Sequence, residues 1–77
     1  MDQFIENIKC MFFPHTNVKI YANNSRLVIE LKKREIFSYY PKKGKLIIND
    51  PIPIVSGYEI QRLYETARIG GVFDGEE

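Results

Sequence analysis

The chain moves between two hydrophobic periods, and each change of period marks an element. Phe4, Ile5, Ile8, Met11 and Phe12 recur at helical spacing on one broad face. Asp2 stands where it can accept a backbone N–H and favour the positive end of that helix. Pro14 disfavours helix at the residue before it, so the helix ends near Phe12 or Phe13. Pro14–Asn17 reads as a turn. From Val18 the period falls to two: Val18, Ile20 and Ala22 alternate with Lys19 and Tyr21. Leu27, Ile29 and Leu31 then alternate with Val28, Glu30 and Lys32, the pattern of half-buried strands. Asn23-Asn24-Ser25 joins the two, because Asn enters the left-handed region at low cost.

Arg26–Asp50 carries the densest β-branched and aromatic residues. Leu31–Glu35 contains good helix formers, but Val28, Ile29, Ile36, Phe37, Tyr39 and Tyr40 favour a pleated surface. Pro41-Lys42-Lys43-Gly44 is the strongest local signal: Pro pre-sets the first corner of a turn and Gly tolerates the left-handed position that closes it. Glu35–Tyr40 and Lys45–Asn49 become the arms of a hairpin. Lys32-Lys33-Arg34-Glu35 holds none of the usual turn residues, so the chain there is either a tight turn with tertiary support or one long bent strand.

Pro51-Ile52-Pro53-Ile54-Val55 loses two ladder donors to proline and reads as an extended crossover. Ser56-Gly57-Tyr58-Glu59 has the form of a capping box. Behind it Ile60, Leu63, Tyr64 and Ala67 recur at helical spacing, which predicts a helix from about Gly57 to Arg68 or Ile69, stopped by Gly70-Gly71. Val72-Phe73 is expected to dock on the body and residues 74–77 to fray as an acidic tail. The order gives an α+β fold in one domain spanning residues 1–77. Its two layers are an antiparallel meander of three or four strands and two helices on one face, α-β-β-β-β-α.

With Leu27, Ile29, Leu31, Leu46 and Ile48 turned to the helices, Tyr21, Val28 and Ile47 point away. β-strand Glu35–Tyr40 adds either Ile36 and Tyr40 or Phe37 and Tyr39 to that outer face, depending on register. An outer face of this kind, part apolar and part aromatic, is a contact surface rather than a wetted one.

Composition narrows the function classes. A single cysteine, Cys10, excludes an internal disulfide and points to a reducing compartment. Seventy-seven residues without a staple gain most from a partner or from self-association. Asp2, Glu6 and Lys9 break the pattern of a signal peptide, and no apolar run approaches the ~18 residues of a membrane span, so a cytoplasmic protein without membrane contact is expected. The formal net charge is +1, yet Lys19–Lys45 holds eight basic against two acidic residues while the remainder holds three against eight. The strands are basic and the flanking segments acidic.

No enzymatic chemistry is expected. His15 is the lone histidine, in a Pro-containing turn with no partner at local spacing. Cys10 lies on a helix with only Lys9 nearby to lower its pKa. The carboxylates show no paired-acid or metal spacing, and Gly70-Gly71 follows a helix where phosphate cradles precede one. No cofactor and no metal are expected. The candidate binding residues are Lys32, Lys33, Arg34, Phe37, Tyr39, Tyr40, Lys42, Lys43 and Lys45, with Tyr21, Val28 and Ile47 on the outer face. They support a small protein-binding module, an inhibitor or regulator of a larger enzyme or defence system such as phage and mobile elements encode. The competing reading is single-stranded nucleic-acid or nucleotide binding, in which lysines neutralise phosphates and tyrosines stack on bases. A homo-oligomer is the further partner class.

Overall fold

The computed structural model describes residues 2–12, 17–50 and 52–75. Its elements are α1 (Asp2–Met11), β1 (Val18–Ala22), β2 (Leu27–Leu31), β3 (Arg34–Tyr40), β4 (Lys45–Ile48) and α2 (Ile54–Ile69). The strands form one antiparallel sheet in the order β1-β2-β3-β4, so the α-β-β-β-β-α meander read from the periods is the fold. Leu27, Ile29 and Leu31 pack with Leu46 and Ile48 against Phe4 and Ile8 of α1, Phe12 just past its end, and Ile60 and Tyr64 of α2. Both helices therefore cover the same face. Among the described residues no helix is long and apolar enough to cross a membrane.

β3 departs from strict alternation. Its pairing with β2 runs Leu31↔Arg34 and Glu30↔Glu35, then shifts to Ile29↔Phe37 and Leu27↔Tyr39. Ile36 is the extra residue of a bulge. Consequently Ile36 and Phe37 are both buried, at 1% and 0% exposure, with Tyr39 beside them in the core. Neither expected register describes this strand. Tyr40 and Ser38 take the outer face, and Ile36, Phe37 and Tyr39 all turn inward.

The three hairpin turns are closed in three ways. Between β1 and β2, the Asn23 side-chain oxygen accepts from the backbone N–H groups of Ser25 (2.8 Å) and Arg26 (2.9 Å). The side chain, rather than a left-handed Asn backbone, makes this turn, since positive φ among the described non-glycine residues is confined to Lys32 and Lys33. Between β2 and β3 a two-residue turn at Lys32-Lys33 replaces the bent-strand alternative, with φ of 53° and 65°. Between β3 and β4, Lys43 N–H donates to the Tyr40 carbonyl at 3.1 Å and Gly44 N–H to that of Pro41 at 3.3 Å. Gly44 sits at φ +63°, as the Pro-Lys-Lys-Gly sequence anticipates.

α2 begins earlier than its capping-box signal. Pro53 is the N-cap, no side chain caps it, and the Gly57 N–H donates to the Pro53 carbonyl at 2.9 Å. Ile54, Val55 and Ser56 are thus helical, and the expected extended segment and Ser56 cap are both overturned. The preceding turn explains the shift: Ile52 N–H bonds the Asn49 carbonyl at 3.0 Å while the Ile52 side chain is buried, which fixes the entry angle before Ser56 is reached. Gly57 lets the helix approach β4, because a Cβ there would lie 3.0 Å or closer to Ile48 carbons. At the far end Val72 N–H bonds Ala67 O and Gly71 N–H bonds Arg68 O, with Gly71 at φ +80°, a Schellman closure. It delivers Phe73, fully buried, edge-on to Phe4 with centroids 5.3 Å apart. Asp74 continues this turn, its N–H bonding Gly71 O, and Glu76 and Glu77 of the expected acidic tail lie outside the described residues.

Candidate contact surfaces

Register alone places the outer face of the sheet. Tyr21, Val28, Ser38 and Ile47 form one row across all four strands. Lys19, Glu30 and Glu35 form a second row toward the β2–β3 turn, while Tyr40 and Lys45 lie toward the opposite end. Val28 and Ser38 occupy the two central strands and are both buried, so the middle of this face offers little apolar area. A shallow groove of about 190 Å³ crosses it, lined by Tyr21, Arg26, Val28, Glu30, Glu35 and Tyr40. The buried Ser38 Oγ has no hydrogen-bond partner among the described residues.

The basic and aromatic candidates do not gather in one place. Lys32, Lys33 and Arg34 stand at one end of the sheet and Lys42, Lys43 and Lys45 at the other, roughly 20 Å apart along β3 at 3.3–3.4 Å per residue. Glu30 and Glu35 lie directly opposite each other between them. Phe37 and Tyr39, read as contact residues from their place between the lysines, are core residues, because the bulge at Ile36 turns them inward. Tyr40 stays accessible, but the Lys43 ammonium already lies over its ring, 5.9 Å from the centroid.

The Lys32-Lys33 turn is unusual backbone. Positive φ at both central residues is the mark of a type I′ turn, which ordinarily takes Asn-Gly or Gly-Gly. A residue with a Cβ pays roughly 1–2 kcal/mol for the left-handed region. The Lys32 N–H reaches the Asn17 carbonyl at 3.4 Å, which ties the turn to the start of β1 and supplies the tertiary support it requires. Beside it opens a groove of about 600 Å³ lined by Asn17, Val18, Lys19, Lys32 and Lys33.

Sequence reading missed the largest exposed apolar surface. Of five large hydrophobic side chains exposed among the described residues, Ile54, Val55, Tyr58 and Ile69 belong to α2 and only Tyr21 to the sheet. Val55, Tyr58, Arg62 and Ile69 follow at i, i+3, i+7 and i+14, the spacing of a helical seam. They lie opposite Gly57, Ile60 and Tyr64, the buried side of the same helix. Val55, Tyr58 and Leu63 with Glu59 and Arg62 line a hollow of about 470 Å³. The signal was the run Ile54-Val55, hidden by reading it as an extended crossover that ends in Ser56.

Polar chemistry elsewhere is structural. Tyr64 is fully buried and its hydroxyl donates to the Asn23 carbonyl, tying α2 to the β1–β2 turn. Burial pushes its pKa up to about 12 against the opposing pull of Arg68, with help from Glu65 and Tyr39. Arg68 and Glu65 form an ion pair at 3.1 Å, and Glu59 and Arg62 form none among the described residues despite the same spacing. Cys10 is exposed, whereas His15 lies outside the described residues. No three His, Cys, Asp or Glu side chains among the described residues gather closely enough to hold a metal ion. Comparison of the chain with protein-family models, with curated proteins and with solved structures finds no match.

Proposed function

We propose that this chain is a non-enzymatic protein-binding module that docks its partner on the outward side of α2, as a small regulator or inhibitor does. One observation carries this reading: Ile54, Val55, Tyr58 and Ile69 expose 57–81% of their surface on one helix whose other side is already packed. Apolar side chains concentrated in this way, with a charged rim of Glu59 and Arg62, have the composition of an interface core and rim. The sheet's outer face, with Val28 and Ser38 buried, has less to offer a partner. Glu59 and Arg62, in the same strip, form no ion pair among the described residues, so an antiparallel second copy would bring each acid over the other's base. Sedimentation over a concentration series is therefore the first measurement.

The test is Val55→Glu combined with Tyr58→Glu. Both side chains are exposed, so the fold should keep its stability within about 0.5 kcal/mol. Contact with the protein partner, whether a second copy or a host protein captured from the native cell, should weaken about tenfold or more. A variant that still self-associates or captures as the wild type does would move the contact elsewhere. Single-stranded nucleic-acid binding is the weaker reading, because the two basic clusters are far apart and Phe37 and Tyr39 are not available to stack.

A further inference from the structure

We propose that the groove beside the β2–β3 turn is a binding site for a phosphorylated small molecule of nucleotide size, held by Lys19, Lys32 and Lys33. Three observations converge on it. The groove is open to solvent on one side and has a volume of about 600 Å³, within the range of small-molecule sites. Among the described residues its lining consists of three lysines, Lys19, Lys32 and Lys33, with Asn17 and the apolar Val18. Ammonium groups bind phosphate oxygens as point charges with rotatable donors, and Val18 gives an organic moiety somewhere to rest. None of the three lysines has an ion-pair partner among the described residues, where the one pair joins Arg68 and Glu65. Glu30, opposite Lys19 in register, and Glu35 lie on the outer face and limit the positive field to the turn end.

The third observation is the backbone. Lys32 and Lys33 both occupy the left-handed region, where Asn and Gly would relieve the strain. Backbone strain of this kind clusters at ligand clamps and switch regions. Pro41-Lys42-Lys43-Gly44 shows the same charge carried without that cost. The ligand is a small phosphate rather than a nucleic-acid strand, because among the described residues no basic track leads from this groove to the other end of the sheet. The next basic cluster is at the other end of the sheet, beyond Glu30 and Glu35.

Amide chemical shifts of the full chain, followed during titration with pyrophosphate, ATP and an oligothymidylate of about 12 nucleotides at low salt, test this. Pyrophosphate and ATP are expected to shift Asn17, Val18, Lys32 and Lys33 saturably, more weakly as salt rises. Lys32→Asn with Lys33→Gly, which keeps the turn and removes two charges, should lower affinity about tenfold or more. Lys42→Ser with Lys43→Ser should leave it unchanged. Absence of saturable shifts at about 10 mM pyrophosphate, weaker than almost any specific site, overturns the proposal. So does wild-type affinity in the Lys32→Asn, Lys33→Gly chain. Oligothymidylate binding far tighter than ATP, with shifts running on to Lys42–Lys45, would overturn it in favour of a nucleic-acid strand.

Discussion

The β2–β3 and β3–β4 turns carry nearly the same residues and solve opposite problems. In Pro41-Lys42-Lys43-Gly44 each position suits its backbone: Pro fixes the first corner, Gly44 takes the left-handed place, and the lysines fill the unconstrained middle. There the charge is incidental to the turn, and Lys43 spends it on the Tyr40 ring. At Lys32-Lys33 the lysines themselves occupy the left-handed positions, and the Lys32 N–H bond to Asn17 holds them there. The difference separates two meanings of a basic residue. Lysines in the first turn are compatible with simple protection of a sheet edge. Lysines in the second stand against a local preference, and that requires a gain elsewhere.

The β1–β2 turn gives the largest effect to set beside these two. It relies on neither glycine nor charge but on the Asn23 side chain and on the Tyr64 hydroxyl, which bonds the Asn23 carbonyl. Tyr64→Phe should cost about 1–3 kcal/mol, since the carbonyl is left without its donor. The Tyr64 pKa of about 12 also has a definite pH signature. Unfolded, the phenol titrates near 10, so its contribution is fully present below pH 10 and is lost as pH rises from about 10 to 12. Denaturant midpoints of wild type and Tyr64→Phe should therefore converge across that window, by roughly 2–3 kcal/mol at most.

The strained turn comes next. Lys32→Asn with Lys33→Gly should raise stability by about 1–2 kcal/mol, the left-handed cost being relieved and partly offset by glycine's chain entropy. The smallest effect is the reverse exchange in the relaxed turn. Gly44→Lys should lower stability by about 1 kcal/mol, and through the backbone alone, because nothing lies within 4 Å of a Cβ placed there. Shifts of opposite sign in urea, the larger in the Lys32→Asn, Lys33→Gly chain, would establish that the two turns differ in backbone strain and not in packing. A loss of stability in the Lys32→Asn, Lys33→Gly chain would erase the contrast.

Much of the fold was legible because period and turn chemistry agreed. Val18–Ala22 and Leu27–Leu31 alternate cleanly, and Pro41 and Gly44 sit where their conformations are needed. Legibility failed where long-range packing outweighed a local pattern. Ser56-x-x-Glu59 mimics a capping box, but burial of Ile52 and the turn at Asn49 start α2 three residues earlier. That error hid the exposed Ile54-Val55-Tyr58 strip. The Ile36 bulge defeated alternation in β3 for a related reason: two adjacent large hydrophobics were both drawn to the helix side, which removed Phe37 and Tyr39 from the candidate surface. The Lys32-Lys33 turn had no local signal at all, since its support comes from the carbonyl of Asn17.

Urea unfolding of wild type and the Lys32→Asn, Lys33→Gly chain, each with and without pyrophosphate, tests the central contrast most directly. A ligand at free concentration c that binds only the folded state stabilises it more the further c exceeds its Kd, by RT ln(1 + c/Kd). Without ligand the variant should be the more stable of the two, and pyrophosphate should narrow that gap by stabilising the wild type more than the variant. A gap that pyrophosphate leaves untouched would mean that the lysines of the strained turn hold no anion.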